Sequence, residues 1–177
     1  GAYGFEMDLG AGWQGLETYC IELTQVIDFG NFNNDTTGLP HEVAALDSLA
    51  RFSPAEAVAI ETLWGSAFDV SKQSKVNSNA FQVILWELSM DDEFDLSDGG
   101  FRVDASHSHT SNVAAKAVEW WGNIEQGVWT QRTALKALVS DQSQDCLAQE
   151  HEIPSPGSLA LLGVAGAMGL GTRKRRG

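Results

Sequence analysis

From Gly157 to Gly171 the chain runs fifteen residues without a charge, and four of the next five are Arg or Lys. No other feature restricts the chain so strongly. The run is somewhat shorter than the roughly 20 apolar residues that span a bilayer comfortably. The basic end (Arg173, Lys174, Arg175, Arg176) would stay on the cytoplasmic side of a membrane, because inserted segments keep their positive flanks there. The alternative is an ordinary C-terminal core helix. Six glycines from Gly157 onward and four terminal charges fit that poorly. Two units are therefore expected: a folded body over residues 1–149 and a tail over 150–177.

Charge narrows what the body can bind. The whole chain has 11 basic residues against 24 acidic ones, a net of −13. Without the four basic residues of the tail, seven stand against 24, a net of −17. Such a surface repels phosphate backbones, which excludes nucleic acid as a partner. It suits an exported protein. The chain opens Gly-Ala-Tyr with no initiator Met, and a strand pattern begins almost at once. An N-terminal segment, signal peptide included, is expected to precede it.

Periodicity gives the elements. AYGFEMDL alternates, with Tyr3, Phe5, Met7 and Leu9 on one face, and predicts a strand. ETYCIEL alternates too, with Tyr19, Ile21 and Leu23 on one face and Cys20 and Glu22 on the other. GNFNNDTTG is a turn-rich loop. Pro40 is expected to open a helix reaching about Arg51. Ser53-Pro54-Ala55-Glu56 is a capping box with Pro in the first turn, predicting a second helix to about Phe68. Asn77-Ser78-Asn79 is read as the cap of a third helix carrying FQVILWEL. DDEFDLSDGG is an acidic turn, FRVDA a short strand, and Ser111–Trp121 a fourth helix ended by Gly122. Alternation of Leu135, Ala137 and Val139 predicts a last strand. With no βαβ rhythm, this is α+β. The expected architecture is β-sandwich- or barrel-like strands with a helical insertion, followed by a C-terminal transmembrane sorting helix.

The tail resembles the PEP-CTERM sorting signal: a Pro-Glu-Pro-like motif, a Gly/Ala/Leu helix and a short Arg/Lys cluster. Pro154 and Pro156 match the two prolines, and Ser155 stands where the family usually has Glu. The resemblance implies an exosortase partner, transient anchoring in the inner membrane, and cleavage near the motif. It also implies delivery to the cell surface or the extracellular matrix of bacteria that make exopolysaccharide.

Within FQVILWEL, Phe81, Ile84, Leu85 and Leu88 form one apolar stripe, and Gln82 lies beside it. A neutral amide in apolar surroundings costs a few kcal/mol unless something bonds to it. Tyr19-Cys20-Ile21-Glu22 and Phe81-Gln82-Val83-Ile84-Leu85-Trp86 resemble the two motifs of bacterial surface thioester domains. In those domains a Cys after an aromatic residue attacks a Gln in a hydrophobic-Gln-x-x-hydrophobic-Trp motif. Ile84 stands where Ala is commoner. The resemblance implies a Cys20–Gln82 cross-link supported by Tyr19 and Trp86, and covalent adhesion to surface or matrix amines. That chemistry is single-turnover and makes the chain no enzyme in the ordinary sense. The residues themselves allow a plainer account: Gln82 bonded to a backbone carbonyl and Cys20 a small core residue. The function would then be noncovalent association with exopolysaccharide or other matrix components. Cys20 and Cys146 can also form one disulfide or remain unrelated thiols.

Other signals are weaker. Asp104, His107 and His109 (DASHSH) lack a further metal ligand at a recognisable spacing. DDEFDLSDGG fails the EF-hand pattern, with Leu96 where Gly is required. Trp64, Trp86, Trp120 and Trp121 are read as core rather than as a sugar platform. No metal or organic cofactor is expected.

Overall fold

Ser53 starts the helical part as its spacing predicts. In the computed structural model, which describes residues 3–8, 13–25, 41–141 and 143–153, its Oγ accepts the Glu56 N–H at 3.3 Å. The Glu56 carboxylate accepts the Ser53 N–H at 2.6 Å. Pro54 follows in the first turn, where its missing N–H costs nothing. The resulting helix, α1, spans Pro54–Ser71. Helix α2 covers Lys75–Met90, and α3 covers Ser108–Glu125.

Two helix ends differ from expectation. The α2 cap is Ser74, whose Oγ accepts the Asn77 N–H at 3.1 Å, so the Asn77-Ser78-Asn79 triplet lies inside the first turn. Gly122 does not end α3, which runs on to Glu125; Gln126 caps it and Gly127 follows at φ +66°. That left-handed conformation is the one a C-terminal glycine supplies. A helix tolerates an internal Gly at about 1 kcal/mol when neighbouring turns are well packed.

The strands are β1 (Tyr3–Asp8), β2 (Trp13–Cys20), β3 (Glu42–Ala45), β4 (Leu135–Val139) and β5 (Cys146–Gln149). They form one sheet in the order β1-β2-β5-β4-β3, every adjacent pair antiparallel. The fold is α+β. The helix expected from Pro40 to Arg51 is instead β3 followed by a 3-10 turn at Leu46–Ser48. Glu42–Ala45 pairs with Val139–Lys136, and the sheet edge overrides the local helix preference of a short segment. FRVDA forms no strand; its one described backbone–backbone bond is Val103 N–H to Leu96 C=O. The sequence reading missed β5, hidden in a polar stretch.

Strand alternation divides the core. Tyr19, Ile21, Leu135, Ala137 and Leu147 face the helices and join Leu63, Trp64, Phe81 and Leu85 in the main cluster. Leu16, Leu138 and Ala148 form a small cluster on the opposite face, with Ile153 against it. Trp64 and Trp120 are buried as expected, while Trp86 and Trp121 are half-buried.

Among the described residues no helix is long and apolar enough to cross a membrane. The Gly157–Gly171 run, the Pro154-Ser155-Pro156 motif, the basic end and the GNFNNDTTG loop lie outside the described residues.

Candidate functional site

Cys20 is the last residue of β2, and its main chain is shared between two neighbours. On one side it pairs with Cys146 of β5. The Ile21 N–H donates to Asp145 C=O at 2.9 Å, so Cys20 and Cys146 oppose each other at a non-hydrogen-bonded position. The N–H and C=O of Cys20 therefore point away from β5, toward the side of β2 that β1 occupies as far as Thr18.

There Gln82 fills the ladder. Its Nε2 donates to Cys20 C=O at 2.6 Å, and Cys20 N–H donates to its Oε1 at 3.2 Å. A single carboxamide from a helix thus satisfies both polar groups of a strand residue, as a neighbouring strand would. The pair of bonds also fixes which end of the amide is oxygen. Gln82 is 2% exposed and Cys20 1%, so neither the amide nor the thiol faces water.

The first turns of α2 bring Gln82 there because Phe81 beside it is anchored in an aromatic cluster. The Phe81 and Tyr19 rings stack at 4.3 Å between centroids, and Trp64 meets both edge-on. Tyr19 is fully buried. Its hydroxyl donates to Ser71 Oγ at 2.7 Å, and Ser71 Oγ donates to Phe68 C=O at 2.6 Å. Tyr19 thus ties β2 to both α1 and α2. Trp86 lies one turn beyond Gln82 and packs on Phe101 with centroids 5.9 Å apart. Tyr19 and Phe81 are the aromatic residues whose contacts anchor Gln82 against β2.

Cys146, which the sequence left open as a disulfide partner of Cys20 or an unrelated thiol, lies beside it. Its Sγ lies 3.8 Å from Cys20 Sγ, across the two strands and on the sheet face away from the helices. Its thiol has a second acceptor in reach, Gln144 C=O at 3.5 Å. Both cysteines are free thiols. The S–H of Cys146 donating toward Cys20 lowers the Cys20 pKa, against the opposing effect of burial. Contact with Cys20, followed by burial, raises that of Cys146. Both shifts trace to the same sulfur–sulfur contact between the strands.

Arg51 locks this corner. Its guanidinium donates to Ile21 C=O at 3.2 Å and to the Asp145 carboxylate at 2.6 Å, joining the end of β2 to the residue before β5. Asp145 also accepts the Ser140 N–H at 2.9 Å.

The remaining candidates do not assemble. Asp104 accepts the Ser106 N–H, His107 occupies the cap position of α3, and His109 Nε2 lies 3.2 Å from Asn79 Nδ2. Among the described residues no group of His, Cys, Asp or Glu is placed to hold a metal ion. The acidic turn engages its own backbone: Asp91 accepts the Gly100 and Phe101 N–H groups at 2.6 and 2.8 Å, and Asp95 accepts that of Ser97. A groove between this turn and α3 is lined by Phe94, Asp95, Trp121 and Glu125.

Comparison with protein-family models, with curated proteins and with solved structures finds no match to the chain.

Proposed function

We propose that the chain is an exported cell-surface or matrix protein whose Cys20 and Gln82 form an internal thioester and pass the acyl group to amines. The observation carrying this reading is the placement of the Gln82 carboxamide on Cys20 itself, from 62 residues away. In the reaction the Cys20 thiolate attacks Gln82 Cδ. The tetrahedral intermediate expels Nε2 as ammonia after that nitrogen takes a proton, leaving the Cys20–Gln82 thioester. The Cys20 N–H already donates to the oxygen on which negative charge develops, the role of an oxyanion-hole donor. The bonds hold the carboxamide on the Cys20 main chain, so that rotation of the Cys20 side chain toward Cδ would make the attack intramolecular. Burial of both residues protects the product from water. An amine that reaches the carbonyl forms a stable amide and releases the Cys20 thiol.

Tail and body fit one account. An exosortase-cleaved PEP-CTERM-type signal would anchor the precursor in the inner membrane through residues 150–177 and then free the acidic body into the matrix.

The test is the intact mass of the body, kept in a phosphine reductant, which removes disulfides without attacking thioesters. A thioester lowers the mass by one ammonia, and methylamine then restores mass at Gln82 as the methylamide while freeing Cys20. Cys20→Ala and Gln82→Ala each abolish both changes. Full sequence mass with Cys20 freely alkylated would refute the thioester.

A second reading has its own observation. Both polar ends of the Gln82 amide are already bonded to Cys20, which gives the residue a structural role without chemistry. The protein would then bind exopolysaccharide or matrix components noncovalently, and Cys20→Ala would leave retention on polysaccharide unchanged under this reading.

A further inference from the structure

We infer that Cys20 and Cys146 are a redox pair that closes to an intramolecular disulfide in an oxidising environment. Four observations converge on the pair. They are directly opposed residues of adjacent antiparallel strands. They occupy a non-hydrogen-bonded position, where Cα atoms lie about 4.5 Å apart, inside the disulfide range. Their sulfurs are already in contact at 3.8 Å on the same sheet face. Arg51 fixes the ends of both strands by bonding Ile21 C=O and Asp145 together. Bridging therefore asks for side-chain rotation and no rearrangement of the backbone.

The oxidant is a small-molecule or protein disulfide. The two thiols are oxidised, one S–S bond forms between Sγ atoms, and the oxidant's S–S bond is reduced to two thiols that carry away both protons. Whichever sulfur attacks first, the other then closes the bridge and displaces the oxidant's second thiol. The disulfide does not depend on the thioester. Its consequence for acylation does rest on that reading: Cys20 has one sulfur, so the oxidised chain cannot hold a thioester, and reduction returns the thiolate to Gln82. Cys146 would thus set when the site is available.

The experiment uses the full chain, first treated with methylamine to free Cys20 from any thioester, then with phosphine, then with excess oxidised glutathione. The expected product is lighter by two hydrogens, without bound glutathione. Neither cysteine alkylates after denaturation, and digestion yields one linked Cys20–Cys146 peptide. Phosphine reverses all of it. Cys146→Ala, an apolar replacement beside Leu138 and Ala148, should remove the two-hydrogen loss while circular dichroism stays native. Should that variant misfold, the linked peptide from the unaltered chain decides alone. Gln82→Ala should still oxidise, which separates this result from failure of the thioester. Full alkylation of both cysteines after oxidation, or a stable glutathione adduct with no linked peptide, would overturn the pair.

Discussion

Gln82 resolves at the residue scale into a choice between two partners of one cysteine. Its amide satisfies the Cys20 main chain, and the Cys20 sulfur is in contact with Cys146. Loss of the amide has a cost even if no covalent bond forms, because two buried backbone groups lose their partner. Gln82→Ala should therefore destabilise the body by about 3 kcal/mol, read from urea unfolding. Cys20→Ala separates the cases, since it keeps those main-chain groups. If the thioester exists, it closes a 62-residue interval. Losing it lowers stability by about 4 kcal/mol by the loop-entropy argument, or roughly 10 °C in melting temperature. An unchanged melting temperature in phosphine would mean that no cross-link was present. The contact between Cys20 and Gln82 was foreshadowed because a Cys and a Gln stood in two short, recognisable stretches. For Cys146 the sequence could not choose between a bridge to Cys20 and an unrelated thiol, because proximity across 126 residues is a property of the sheet and leaves no local trace. Its one signal was the apolar Cys146-Leu147-Ala148 run, too short to stand out as a strand.

Among the elements, the capping box was readable because it is a local device, with both partners within three residues. The β3 segment was not, since its conformation is decided by β4, which lies about ninety residues later. Two predictions belong here. Gly65 sits where α1 meets the backbone before β4: an added Cβ would lie 2.5 Å from Gln131 C=O. Thr133 N–H donates to Glu61 C=O at 3.1 Å, and Arg132 pairs with the Glu61 carboxylate, so that backbone is held in place. Gly65→Ala should cost about 1–3 kcal/mol as overpacking, seen as a lower urea midpoint with an unchanged slope. Glu87 of α2 is fully buried; one carboxylate oxygen accepts the Asp95 N–H at 2.7 Å and the other has no partner among the described residues. Burial raises its pKa more than the Asp95 N–H lowers it. The folded state thus favours the protonated acid. Its contribution is complete below the ordinary carboxylate value and is lost as pH rises through the raised one. Glu87→Gln should flatten that decline in a pH series of unfolding curves. An identical decline in the variant would assign it to another group.

At the scale of the whole molecule, the antiparallel order β1-β2-β5-β4-β3 carries the account, because it seats β5 beside β2 and leaves the far side of Cys20 to Gln82. The α+β class was legible in the mixed periodicities, whereas the strand order depends on contacts between distant segments. The net −17 outside the basic end predicts no detectable DNA association of the tail-free body at physiological salt. Salt-sensitive binding in a mobility-shift assay would contradict it. If the tail sorts the chain as proposed, replacing Arg173, Lys174, Arg175 and Arg176 with Ser would impair membrane retention and processing by removing a positive cytoplasmic flank. A secreted protein that keeps its Arg/Lys terminus would contradict the sorting role. The central claim, that Cys20 and Gln82 are a reactive pair, is tested most directly by the intact mass of the body in phosphine. The account predicts a mass lower than the sequence by one ammonia, recovered with methylamine at Gln82; full sequence mass with an alkylatable Cys20 would contradict it.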